Sequence, residues 1–156
     1  LAAVTGTSRP PAGFNSRPLG SMRYVAAASP SYVERHFVDG VGAGSLALAP
    51  SLVFNTKDDL QARWVRRLCH RDVELPRHAV PSPHAFVVAA LAGMGWGLHP
   101  KELIASQLRD GSLVELVPET PLDVPLYWQH ARAASSLIEG LSRELVAAAT
   151  RALRPS

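Results

Sequence analysis

Six histidines and one cysteine are the side chains of this 156-residue sequence with the widest chemical range. His36, His70, His78, His84, His99 and His130 are scattered, without the short spacings that bring two ligands to one metal ion. No Gly-x-Ser-x-Gly elbow and no phosphate-cradling P-loop occurs. His84 stands at a helix start, where a general base could serve, but nothing pairs with it at recognisable spacing. The residues are therefore not arranged for catalysis, and they imply neither a metal nor a cofactor. They favour ligand binding. Ser82, Pro83 and His84 open an apolar helix, with Ser82 placed to cap it and Pro83 suited to its first position. The N–H groups exposed there suit a carboxylate. Asn55 and Thr56 end a strand, and so does Thr5 within Val4-Thr5-Gly6. Asp58 and Asp59 read first as first-turn carboxylates favoured by a helix dipole.

The stretch that positions these groups is residues 80–100, VPSPHAFVVAALAGMGWGLHP. It reads as strand end, helix, glycine turn and second strand. Residues 84–91 are apolar nearly all round, as in a helix buried on several sides. Gly93 and Gly95 end that helix, and Gly97 lets the next strand approach closely. The three glycines are not a dinucleotide fingerprint, which needs a strand before the glycines and a helix after them.

The rest of the chain alternates strands and helices. Strands are expected at residues 1–5, 19–29, 52–54, 78–80, 96–99, 113–117 and 126–129. Helices are expected from residue 30 to about 37, at 101–109 and at 135–153. Another runs from a capping box at Thr56-Lys57-Asp58-Asp59 to about Cys69. Its polar face carries Arg63, Arg66 and Arg67, with Arg71 just beyond, and reads as a solvated surface. Leu137, Leu141 and Leu145 recur at intervals of four along the last helix. The pattern is α/β with a largely parallel sheet.

Composition narrows the class. Hydrophobic residues make up 47% of the chain, enough for a sizeable core, and no apolar run reaches the roughly 18 residues of a membrane span. One cysteine, Cys69, allows no internal disulfide and fits a reducing, cytoplasmic compartment. A net charge of +3 is weak grounds for a nucleic-acid partner. The chain begins at a leucine with no basic segment leading an apolar one, and reads as a cut through something longer.

Two proline-containing stretches, residues 6–18 and 118–125, look like crossovers. Between them lies a unit of about 100 residues. The chain leaves one lobe, builds a second and returns to the first, the topology of two lobes with a ligand cleft between them. The expected division is residues 1–18 for the end of lobe I and the first crossover, 19–117 for lobe II, and 118–156 for the second crossover and the return.

RPLGSMRYVAAASPSYVERH at residues 17–36 and AFVVAALAGMGWGLHPKELIASQLRDGSLVELVP at residues 85–118 resemble the C-terminal effector-binding domain of LysR-type transcriptional regulators. FNTKDDLQARWV at residues 54–65 and PLYWQHARA at residues 125–133 are similar to the basic-amino-acid-responsive branch, the LysG/ArgP or IciA-like regulators. The resemblance implies an α/β, two-lobe, periplasmic-binding-protein-like domain with Rossmann-like lobes, lobe II complete and lobe I truncated at its N-terminal side. It also implies a small-molecule effector, L-lysine or L-arginine, control of a basic-amino-acid exporter gene, and a homodimer or homotetramer. DNA would be bound through a helix-turn-helix domain that these residues lack.

On that basis the effector would meet Thr5, Asn55, Thr56, Asp58, Asp59, Ser82, His84 and Trp128. Asp58 and Asp59 would accept the cationic groups and the start of the central helix an α-carboxylate; Trp128 would be a ligand wall if it is not core. The rivals are a LysR-type sensor of another small molecule, a solute-binding protein of a transporter, and an interaction module without sensing. One structural expectation accompanies the lobe division: residues 126–128 and the apolar side of residues 135–153 should be under-buried within this chain.

Overall fold

A computed structural model describes residues 2–155. Of the first expected strand, Leu1 lies outside the described residues. In chain order the elements are β1 (Ala2–Thr5), β2 (Phe14–Ala28), α1 (Pro30–His36), α2 (Ala43–Leu46), β3 (Ser51–Val53), α3 (Leu60–Cys69), β4 (Arg77–Ala79), α4 (Pro83–Leu91), β5 (Gly97–Pro100), α5 (Ala105–Asp110), β6 (Val114–Glu115), β7 (Leu122–Ala131) and, after a 3-10 turn, α6 (Glu139–Ala152). The chain forms two compact units. Unit 1 is Leu1–Arg23 with Asp123–Ser156, and unit 2 is Tyr24–Leu122. Both boundaries fall inside strands, β2 and β7.

The stretches read as irregular crossovers are irregular at residues 6–13 and 118–121 but extended at residues 14–18 and 122–125. β2 is 15 residues long and takes in Pro18, and β7 is 10 residues long and takes in Pro125. Proline breaks a strand only where a neighbour needs its missing N–H, so a proline-containing stretch can still be a strand. The expected largely parallel sheet is also corrected. β3 pairs with β4 in parallel, from Ser51↔Arg77 to Val53↔Ala79, with a parallel bridge between Ser51 and Trp96. β2 runs antiparallel to β5 and β6, and β1 antiparallel to β7. The long strands that pass between the units bring antiparallel pairing into each, which alternation of strand and helix along the sequence does not reveal.

In unit 2 the core forms on the α4 side of β2 and β5. Val25, Ala27, Leu52, Phe86, Ala89, Ala90, Ile104 and Leu113 form one buried cluster. Ala27 stands opposite Gly97 and Val25 opposite His99, so these alternate residues face the same helix. Also in unit 2, Trp64 of α3 packs against Trp96, ring centroids 5.4 Å apart. The Trp64 indole N–H donates to the Thr120 carbonyl at 2.8 Å, so this large ring is buried without leaving its donor unmet.

In unit 1, β7 lies between β1 and β2. Arg23 clasps Asp123 with two bonds of 2.7 Å. Trp128 is buried, and its indole N–H donates to Ser142 of α6 at 2.9 Å. The expected under-burial thus fails for Trp128, while Leu126 and Tyr127 are half-buried; it appears along residues 135–153, where Leu137 just before α6 and Leu141 on it are 86% and 58% exposed and α6 buries only Ala149.

Candidate ligand cavity of unit 2

α4 starts as its sequence dictates. Ser82 precedes it in extended conformation, its Oγ accepts the Ala85 N–H at 3.3 Å, and Pro83 takes the first helical position. Gly93 follows the helix at φ +71°, a conformation that costs glycine nothing. α3 departs from expectation. No capping box forms at residues 56–59, and the helix begins at Leu60 without a side-chain cap. Instead the Asn55 side chain accepts the Lys57 N–H at 2.8 Å. Asp58 accepts the Phe54 N–H at 2.8 Å through Oδ2 and the Leu60 N–H at 3.1 Å through Oδ1. These short side-chain-to-backbone bonds build a turn that competes with helix over the same residues.

Between the starts of α3 and α4 and the end of β5 lies a cavity of about 210 Å³, entirely within unit 2. Phe54, Leu60, Phe86, Val87, Leu98 and Leu103 give it apolar walls, and Tyr24, Asp58 and His99 supply its polar side chains. This is the crevice at the carboxyl ends of strands where open α/β folds take ligands. Asp58 is its one charged lining residue.

His99 is 1% exposed and stands edge-on to Phe86, ring centroids 5.1 Å apart. Its Nε2 has no hydrogen-bond partner among the described residues. Burial lowers its pKa from 6.5 to about 4, so the ring is neutral at physiological pH. The Tyr24 phenol is pushed above its usual value, first by burial and then by the charge of Asp58.

The residues singled out from the sequence are dispersed. Asp58 lines the cavity, together with Pro83 beside Ser82 and His84. Asn55, Thr56, Asp59 and His84 are exposed, and Asp59 lies 3.8 Å from Arg63 one turn along α3. Thr5 and Trp128 belong to unit 1, where the Thr5 hydroxyl accepts the Thr7 N–H at 3.3 Å. The start of α4 offers an anion less than expected. Pro83 has no N–H, Ala85 gives its own to Ser82 Oγ, and Phe86 gives its own to the Ser82 carbonyl, which leaves the N–H of His84. Sequence reasoning overlooked Tyr24 and His99 as site residues. Alternation along β5 held the signal for His99, because Gly97 fixes the helix-facing side and His99 is two residues on.

Among the described residues no group of three or more His, Cys, Asp or Glu side chains could hold a metal ion. No helix among them is long and apolar enough to cross a membrane.

A two-unit α/β chain with a crevice at its strand ends is the architecture of a small-molecule-binding domain. Residues 2–150 match the family described as LysR substrate binding domain, and the chain belongs to that family. The transcriptional regulator LysG of Mycobacterium tuberculosis is 44% identical over 150 residues, covering 96% of this chain and 49% of that protein. The C-terminal domains of a LysR family protein from Agrobacterium tumefaciens superpose with a TM-score of 0.96 at 51% identity, over 100% of this chain and 75% of that one. Full-length LysG of Corynebacterium glutamicum with bound effector Arg superposes with a TM-score of 0.82 at 38% identity, over 99% of this chain and 52% of that one. The named relatives are transcriptional regulators, and the chain spans about half the length of the curated relatives it matches.

Proposed function

We propose that this chain is the effector-sensing and oligomerisation region of a cytoplasmic bacterial LysR-type regulator that responds to L-arginine or L-lysine. In this reading it is not an enzyme. Unit 2 corresponds to lobe II and unit 1 to part of lobe I. The whole regulator binds DNA through a helix-turn-helix domain outside these residues, works as a homodimer or homotetramer, and controls a basic-amino-acid exporter gene. The observation that carries the reading is the likeness to LysG of Corynebacterium glutamicum, whose structure holds Arg as effector. The cavity beside Asp58 supports it, since its charge suits a cationic ligand. Thr5, Asn55, Thr56, Asp58, Asp59, Ser82, His84 and Trp128 stand as the proposed contacts, with Asp58 the best supported because it alone among them lines that cavity.

An effector changes a regulator only through different affinity for two of its states. Calorimetric titration of the full-length regulator tests the first requirement. Saturable binding of L-arginine or L-lysine, with none of L-leucine, is the expected result. Absence of binding by the folded protein would remove the basic-amino-acid assignment and leave the family membership intact.

A further inference from the structure

We propose that the cavity of unit 2 receives the cationic side chain of the effector, with Asp58 as its counter-charge and Tyr24 as a second acceptor. This rests on the reading of the protein as a basic-amino-acid sensor and adds to it the direction in which the effector lies.

The first argument is shape and polarity. A lysine or arginine side chain is an apolar stem with a charge at its far end. The cavity is built to match, with Leu60, Phe86, Val87 and Leu98 along its walls and a single carboxylate among them. About 210 Å³ accommodates such a side chain but little more.

The second argument is charge. No lysine or arginine lines the cavity, and its one histidine is held neutral by burial. Nothing there opposes a cation. The start of α4 leaves only the His84 N–H, so the nearby backbone is poorly equipped for an anionic group.

The third argument is preorganisation. The Asp58 carboxylate is fixed before any ligand arrives, because each of its oxygens accepts one backbone N–H. Each oxygen keeps lone-pair capacity for a further donor. A guanidinium presents paired donors that match two carboxylate oxygens, and an ammonium presents a compact charge. The Tyr24 phenol lies within the field of Asp58 and offers the additional oxygen that a five-donor guanidinium uses more fully than an ammonium does.

The test is calorimetric titration of the full-length regulator with L-arginine, L-lysine and L-citrulline, the neutral near-isostere of arginine. Wild-type protein should bind arginine roughly tenfold or more tightly than citrulline, the scale of one charge-assisted contact. Asp58→Asn should shrink that gap to within about threefold. Leu103 lines the cavity and is 53% exposed, so Leu103→Trp should narrow the mouth without disturbing the core and weaken arginine by roughly tenfold. Tyr24→Phe should weaken arginine more than lysine. If the wild type binds neither basic amino acid, the sensor reading falls and this assignment with it. If the wild type binds arginine but Asp58→Asn and Leu103→Trp, both folded by circular dichroism, retain its affinity and the gap over citrulline, the sensor reading stands and the cavity assignment is overturned. Should Asp58→Asn fail to fold, Leu103→Trp alone decides.

Discussion

A Cβ atom on Gly97 would stand 2.7 Å from Cε1 of Phe86 and 2.9 Å from its Cζ. Strand β5 and helix α4 are therefore as close as two elements can come with an aromatic ring between them, and the glycine is a packing residue. Gly97→Ala should destabilise the chain by about 1–3 kcal/mol, the usual cost of overfilling a packed core. Urea unfolding would show it as a lower midpoint at unchanged slope. Phe86→Leu in the same chain should recover part of the loss.

The start of α4 gives a second prediction. Ser82 satisfies the Ala85 N–H through its hydroxyl. Ser82→Ala should cost about 1 kcal/mol, while Ser82→Gly should cost only a few tenths. Thermal unfolding of the two variants side by side would separate loss of the cap from a backbone effect.

His99 should make stability depend on pH. Its folded-state pKa of about 4 lies below the unfolded value of 6.5. Between those values the unfolded chain binds a proton that the folded chain does not, so stability falls as the pH drops from about 6.5 to about 4. The loss attributable to this one group approaches about 3 kcal/mol at the acid end. His99→Gln should flatten the slope in that window, as measured by urea titrations at pH 7, 6, 5 and 4. An unchanged slope would show that other groups set it.

The Arg23–Asp123 pair, though bidentate at 2.7 Å, should contribute little. Its side chains are 28% and 41% exposed, and exposed ion pairs are weak. Arg23→Ala should change stability by less than about 1 kcal/mol, with a smaller effect at high salt.

Much of unit 2 was legible in the sequence. Ser82-Pro83 signals a helix start and Gly93-x-Gly95-x-Gly97 a helix end and strand approach, because capping and left-handed turns depend on single residues. α3 was misplaced at its front because Asn55 and Asp58 bond to backbone within four residues of themselves, and such turns share their composition with helix caps. The extended character of residues 14–18 and 122–125 was hidden by prolines that read as breakers. The cavity was half legible. Asp58 stood out as a carboxylate near a strand end and His99 lay two residues beyond Gly97 on the same face of β5, whereas Tyr24 reaches the cavity through the pairing of β2 with β5, which spacing along the chain does not show.

The measurement that bears most directly on the central claim is hydrogen–deuterium exchange of the full-length regulator with and without saturating L-arginine. A sensor whose effector enters the unit 2 cavity should show slower exchange for amides in residues 54–60 and 84–87, where β3 gives way to α3 and where α4 begins, with no change under L-leucine. Exchange in both stretches that is unaltered by arginine would contradict the account.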